Sequence, residues 1–230
     1  MRDRPVIKVI LFDIDDTLLD FGAAERSALR QTLTRFGVDP TDGIIRRYSE
    51  INAACWRRME AGELTHSEVK TERYRILFEE NGIDASPAEV TKYYESKIPF
   101  EHATVCGAGE ILEYLSPKYT LIAASNGTGA TQRKRLADAG FDKYFTDIFI
   151  SSELGVTKPE KEFFDAIFRK YHDIKREEYA IVGDSLTSDV TGGKNAGITT
   201  VWYDKKGAAE PPDPVPDHVV RSLEELKTLF

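Results

Sequence analysis

The run Val9-Ile10-Leu11-Phe12-Asp13-Ile14-Asp15-Asp16-Thr17-Leu18 constrains this chain more than any other stretch. A continuous short apolar segment reads as a strand buried on both faces, as in parallel sheets covered by helices. Here the segment runs directly into acids. A buried strand turns acidic at its end where that end opens onto a crevice, and in open α/β sheets the carboxyl ends of the strands are where ligands bind. Asp13 and Asp15 are therefore the first candidate site residues, suited to hold a metal or to do covalent and acid/base work.

Further strand signals follow at residues 119–124, 148–150, 179–182 and 199–202, after a first strand over 6–12. Helical patterns at 132–139, 161–171 and 188–195 separate the later ones. That alternation predicts an α/β fold, a Rossmann-like doubly wound parallel sheet with helices on both faces. One gap breaks the rhythm: residues 13–118 carry no convincing strand. Helical periodicity fills 24–36, 43–60, 67–81 and 87–97, with Gly37, Gly62 and Gly82 placed as stops. Thr65-x-x-Glu68 and Ser86-x-x-Glu89 read as capping boxes. The expected organisation is a catalytic core of 1–19 and 104–230, interrupted by an α-helical cap over 20–103. Residues 107–115 form the next core helix, and the proline-rich segment 211–216 is a surface loop before a last short strand and helix.

Composition narrows the function. With 39 acidic and 31 basic side chains the formal net charge is −8, which argues against a nucleic-acid polymer as partner while leaving room for one small phosphate in a local basic pocket. Cys55 and Cys106 form no metal-binding or redox spacing and read as reduced thiols. The first apolar run is too short to span a bilayer and no signal peptide is read before it, so no membrane association and a cytoplasmic location are expected. His66, His102, His172 and His218 form no spaced cluster.

Four places carry chemistry. Asp13-x-Asp15-x-Thr17 puts two carboxylates where the chain turns, so one can attack while the other handles a proton. Ser125-Asn126 ends a strand with a hydroxyl and amides that suit an anion, although turns often carry these residues for their own sake. Lys158-Pro159 places a cation before an expected helix N-terminus, which suits a phosphate; a solvated surface lysine is the plainer reading. Gly183-Asp184 with Asp189 brings a further acid to a strand end, next to Asp13 if the strands are neighbours. Carboxylates gathered this closely need a cation, and hard oxygen donors select Mg²⁺ or a similar ion.

These four blocks, in this order and spacing, resemble the motifs of the haloacid dehalogenase-like (HAD) hydrolase superfamily, and the helical insertion resembles its C1-type cap. Within it, Asn52-x-x-x-Trp56, Gly62-Glu63-Leu64-Thr65, Ser125-Asn126-Gly127 and the segment from Glu153 to Pro159 are similar to bacterial pyrimidine 5'-nucleotidases. The resemblance implies that Asp13 is the nucleophile that forms an aspartyl-phosphate. It makes Asp15 the general acid and then the base, and Ser125, Asn126 and Lys158 the phosphate-holding residues. Asp13, the Asp15 carbonyl and Asp184 become the Mg²⁺ ligands, Asp189 supports the metal shell or Lys158, and Thr17 fixes the turn.

The expected activity is Mg²⁺-dependent hydrolysis of a small phosphorylated metabolite, a pyrimidine nucleoside 5'-monophosphate, by a monomer or homodimer. Phosphoglycolate or a sugar phosphate is the alternative substrate. A phosphomutase and a catalytically silent binding protein are weaker readings, and haloacid dehalogenation and phosphonate cleavage are disfavoured because neither uses an acid at position 15. Substrate choice is expected in the helical block, with Trp56, Arg57 and Arg73 as candidates. Trp56 either stacks on a base or packs the cap core while the charges face water.

Overall fold

The computed structural model describes residues 6–60, 63–207 and 213–230. Gly62, Pro211 and Pro212, singled out above, lie outside these described residues. The chain divides into two compact units, residues 1–21 with 102–230, and residues 22–101.

The first unit is a six-stranded sheet: β1 (Val9–Phe12), β2 (Thr120–Ser125), β3 (Asp147–Ile150), β4 (Tyr179–Gly183), β5 (Thr199–Tyr203) and β6 (His218–Val220). All five pairings are parallel, in the order β3-β2-β1-β4-β5-β6. β1 lies at the centre because it is apolar to both sides. Ile10 and Phe12 enter one buried cluster with Leu112, Leu121 and Val182, while Val9 and Leu11 enter another with Ile122, Phe163 and Ile181. Period-two alternation delivers one residue to each layer in turn.

The second unit is helical, with α1 (Phe21–Arg35, whose first residue belongs to the sheet unit), α2 (Asp42–Glu60), α3 (His66–Asn81) and α4 (Pro87–Lys97). Among its buried side chains are Leu29, Leu33, Tyr48, Ile51, Tyr74, Leu77 and Tyr94. The Thr65 box at the start of α3 is complete: Thr65 Oγ1 accepts from the Glu68 N–H at 3.2 Å and the Thr65 N–H donates to Glu68 Oε2 at 2.7 Å. At α4, Ser86 Oγ accepts from the Glu89 N–H at 3.5 Å, and the α4 cap lacks the reciprocal bond that a full box requires. Gly37 and Gly82 take the left-handed backbone, φ 76° and 63°, that stops α1 and α3.

The sheet unit continues with α5 (Ala108–Leu115), α6 (Gly129–Asp138), α7 (Ser151–Leu154), α8 (Lys161–Lys170), α9 (Thr191–Ala196) and α10 (Leu226–Leu229). Two expectations need correction here. The helix expected over 188–195 is a π-helical turn, Leu186–Val190, followed by the short α9, because Ser185 and Asp189 bond to each other's backbone first. The helix after Pro159 begins only at Lys161, so Lys158 does not abut a helix N-terminus.

Candidate active site

The site assembles at the carboxyl ends of β2, β1 and β4, where the order of connections reverses on either side of β1. The Asp13 N–H donates to the Val182 carbonyl at 2.9 Å, which extends the β1–β4 register by one residue and fixes Asp13 beside the end of β4. The chain then folds back. The Leu18 and Leu19 N–H groups both donate to the Ile14 carbonyl at 2.9 Å, and Asp16, at φ 60°, donates its N–H to the Leu19 carbonyl. Asp tolerates that left-handed backbone better than most residues. Thr17, expected to fix this turn, is buried but its hydroxyl finds no hydrogen-bond partner; the backbone bonds hold the turn instead.

Lys158 sits at the centre of the cluster. Its Nζ donates to Asp13 Oδ1 and Asp189 Oδ1, each at 2.7 Å, and to the Ala124 carbonyl at 2.6 Å. The surface-lysine reading is therefore wrong: Lys158 is 3 % exposed and its three protons are all used. Burial alone would lower its pKa, but Asp13 and Asp189 hold it above the ordinary lysine value. Asn126, expected on the phosphate, spends both ends of its amide on the backbone of Lys158. It donates to the Lys158 carbonyl and accepts from the Lys158 N–H, each at 2.8 Å. Its side chain places the lysine rather than a ligand.

Asp13, Asp184 and Asp189 each offer a carboxylate oxygen within 4.8 Å of the others. Lys158 bonds two of the three acids, Asp13 and Asp189, and makes no bond to Asp184. Burial pushes Asp13 well above the carboxylate range, with Asp189, Asp184 and Asp15 adding to the push and Lys158 opposing it. Asp184 is pushed up to about 7, mainly by burial, with Asp189 and Asp16 adding. Oxygen donors gathered in excess of their cations fit a hard divalent ion, so the residues present suit Mg²⁺. The Asp189 oxygens already accept from Lys158 and from the Ser185 N–H at 3.1 Å. The oxygens of Asp189 are thus spent on Lys158 and on the backbone, which leaves Asp184 and the second oxygen of Asp13 as the donors that could hold a metal.

Ser125, at the end of β2, is 1 % exposed, and its Oγ accepts from the Gly127 N–H at 3.1 Å and from Gln132 Nε2 at 2.8 Å. With two bonds accepted, its own proton remains available to an incoming anion. Sequence reasoning missed two residues. Gln132 and Arg135, both on α6, bond the Asp15 carboxylate. Their i, i+3 spacing puts them on one helix face, but a glutamine and an arginine three apart read as surface until the fold buries them.

In the helical unit, Trp56 is half-buried and Arg57 is exposed on α2. Arg73 does not face water. It is 6 % exposed, with its guanidinium 5.1–5.7 Å from the ring centres of Tyr94, Tyr74 and Tyr48. No described helix is long and apolar enough to cross a membrane.

Comparison with known proteins places the chain in a family. A family model for hydrolases, the haloacid dehalogenase-like hydrolases, matches residues 7–197. The HAD-hydrolase YfnB of Bacillus subtilis is 36% identical over 95% of this chain and 93% of its own length. Its crystal structure, bound to magnesium and revealing interdomain movement, superimposes with a TM-score of 0.94 over 97% of this chain and 98% of that one. The pyrimidine 5'-nucleotidase PynA of Streptococcus pneumoniae is 35% identical, covering 95% of this chain and 93% of its own. The pyrimidine 5'-nucleotidase YjjG of Escherichia coli is 28% identical, covering 96% of each.

Proposed function

This chain belongs to the haloacid dehalogenase-like hydrolase family, and from that premise we propose a Mg²⁺-dependent phosphomonoesterase that works through an aspartyl-phosphate on pyrimidine nucleoside 5'-monophosphates. The observation that carries this reading is the ion pair of Asp13 with the buried Lys158, among two further carboxylates, Asp184 at the end of β4 and Asp189 in the π-helical turn that follows. A silent binding protein has no use for a buried carboxylate held this way.

Each side chain then has a task. One oxygen of Asp13 attacks phosphorus while Lys158 holds the other, which fixes the line of approach. The O–P bond to Asp13 forms, the ester P–O bond breaks, and the departing oxygen takes a proton from Asp15. In the second half Asp15 takes a proton from water, whose oxygen attacks phosphorus and frees Asp13 and inorganic phosphate. Ser125 donates its hydroxyl proton to a phosphate oxygen. Asp13, Asp184 and the Asp15 carbonyl would hold Mg²⁺, which supplies positive charge against the repulsion between a phosphate dianion and an anionic nucleophile.

Two relatives named as pyrimidine 5'-nucleotidases, at 35% and 28% identity, support the substrate class. Selection among phosphate esters is assigned to the helical unit, with Trp56 and Arg57 as contacts and Arg73 as an internal support. The test is phosphate release from uridine and cytidine 5'-monophosphates, phosphoglycolate and sugar phosphates, with Mg²⁺ and with chelator, alongside acid-quench trapping of the phosphorylated protein. Preference for phosphoglycolate or a sugar phosphate would move the substrate and keep the chemistry. No phosphate release from any of them with Mg²⁺ present would overturn the reading.

A further inference from the structure

We propose that Gln132 and Arg135 are positioning residues that aim the Asp15 carboxylate at the leaving oxygen, and that Gln132 ties that aim to the phosphate-holding Ser125. This rests on the reading of Asp15 as the proton-handling group.

Four observations carry it. Asp15 is held at both oxygens: Arg135 Nη1 donates to Oδ1, and Gln132 Nε2 donates to Oδ2 at 2.7 Å. The two donors are locked to each other, since Arg135 Nη1 also donates to Gln132 Oε1 at 2.9 Å. Gln132 Nε2 reaches Ser125 Oγ at 2.8 Å as well, so one amide group touches both candidate groups. Finally, space has been made for it: a Cβ on Gly127 would lie 2.7 Å from the Gln132 side chain.

The burial pattern argues against a mere packing pair. The Arg135 side chain is fully buried and Gln132 is 1 % exposed, while the side chain of Asp15 keeps 31 % of its surface open. A buried guanidinium carries a large desolvation cost. Here its Nη1 is directed at a carboxylate that keeps part of its surface open. A carboxylate on a turn has two free side-chain torsions. Two donors from one helix remove both, which keeps the proton path aligned from one turnover to the next.

The role can be separated from simple stability by the leaving group. p-Nitrophenolate departs without a proton, whereas the 5'-alkoxide of uridine needs one. The experiment compares kcat/KM for uridine 5'-monophosphate and p-nitrophenyl phosphate in Gln132→Met, Arg135→Lys and Asp15→Asn proteins and in the Gln132→Met/Asp15→Asn double variant, with melting temperatures measured beside them. Any loss through Ser125 falls on both esters and cancels in their ratio. Expected for Gln132→Met is a fall in the alkyl-to-aryl ratio of about tenfold or more, within the general-acid contribution of ~10²–10⁴. Arg135→Lys, which keeps the charge and one donor, should fall less. In the Asp15→Asn background, Gln132→Met should leave the ratio unchanged, because there is no proton left to aim.

Equal losses on both esters in the single variants, whatever the melting temperature, overturn the positioning role. So does the same change in ratio with and without Asp15. If Asp15→Asn alone leaves the ratio at the wild-type value, the reading of Asp15 itself fails first. Should Gln132→Met not fold, Arg135→Lys decides by the same ratio.

Discussion

A Cβ built on Gly183 would lie 2.1 Å from Asp189 Oδ2. The last residue of β4 thus lacks a side chain because the carboxylate that braces Lys158 occupies the space. Gly183→Ala must push Asp189 away from the Ser185 N–H and from Lys158, bonds of 3.1 and 2.7 Å. Overpacking of this kind costs about 1–3 kcal/mol. The variant is expected to melt several degrees lower and to lose about tenfold or more in kcat, read by calorimetry and steady-state kinetics. An unchanged melting temperature and kcat would show that Asp189 yields freely and does not brace the lysine.

Asp13→Asn is expected to abolish turnover while the protein stays folded. The amide matches the carboxylate in shape but is a poor nucleophile and a poor ligand for a hard cation. Loss of a nucleophile costs many decades in kcat, so retention of more than about a tenth of wild-type activity would falsify the assignment.

Metal and pH should act on stability together. The folded-state pKa of Asp184 is raised to about 7, and Asp13 is raised too, both chiefly by burial. A group raised on folding contributes stability that is complete below its unfolded pKa and is lost as pH rises through the folded one. The metal-free protein should therefore lose the stability that Asp184 contributes between about pH 4 and pH 7, as its carboxyl ionises in the folded state against Asp189 and Asp16. A divalent ion supplies further counter-charge. The rise in melting temperature given by Mg²⁺ should be clearly larger at about pH 8 than at about pH 5.5, where protons compete for the same oxygens. A pH-independent Mg²⁺ effect in differential scanning calorimetry would remove Asp184 and Asp13 from the metal site. Chelator is expected to stop activity and Mg²⁺ to restore it.

The sheet and the strand-end acids were legible because their signals are local: an apolar run into Asp13, another into Gly183-Asp184, each a few residues long. The surroundings of Lys158 were not. Its role depends on Asp13, 145 residues away, and on Asn126, whose Ser-Asn context reads equally well as a turn. Gln132 and Arg135 stayed hidden because polar residues on an ordinary helix face carry no sign of burial until Asp15 comes to meet them. Thr17 misled in the other direction, since a hydroxyl in a turn usually bonds the backbone and this one does not.

Arg73 and Trp56 should part company under truncation. Arg73 packs between three tyrosine rings, donates from Nη1 to Asn52 Oδ1 at 3.2 Å, and is almost wholly buried. Arg73→Ala removes the cation–π contacts and opens a cavity the size of a long side chain, a loss of ~2–5 kcal/mol. Arg73→Lys keeps the charge but not the planar fork and should recover only part of it. Trp56, half-buried on α2, has less packing to lose. If it stacks on a pyrimidine, Trp56→Ala should raise KM for uridine 5'-monophosphate by about tenfold to a hundredfold, the worth of one base–aromatic stack, and leave p-nitrophenyl phosphate nearly unchanged. Melting curves and KM values for both substrates in the two variants decide the matter. A large drop in melting temperature for Trp56→Ala, with parallel losses on both substrates, would make it a core residue like Arg73 and end the stacking idea.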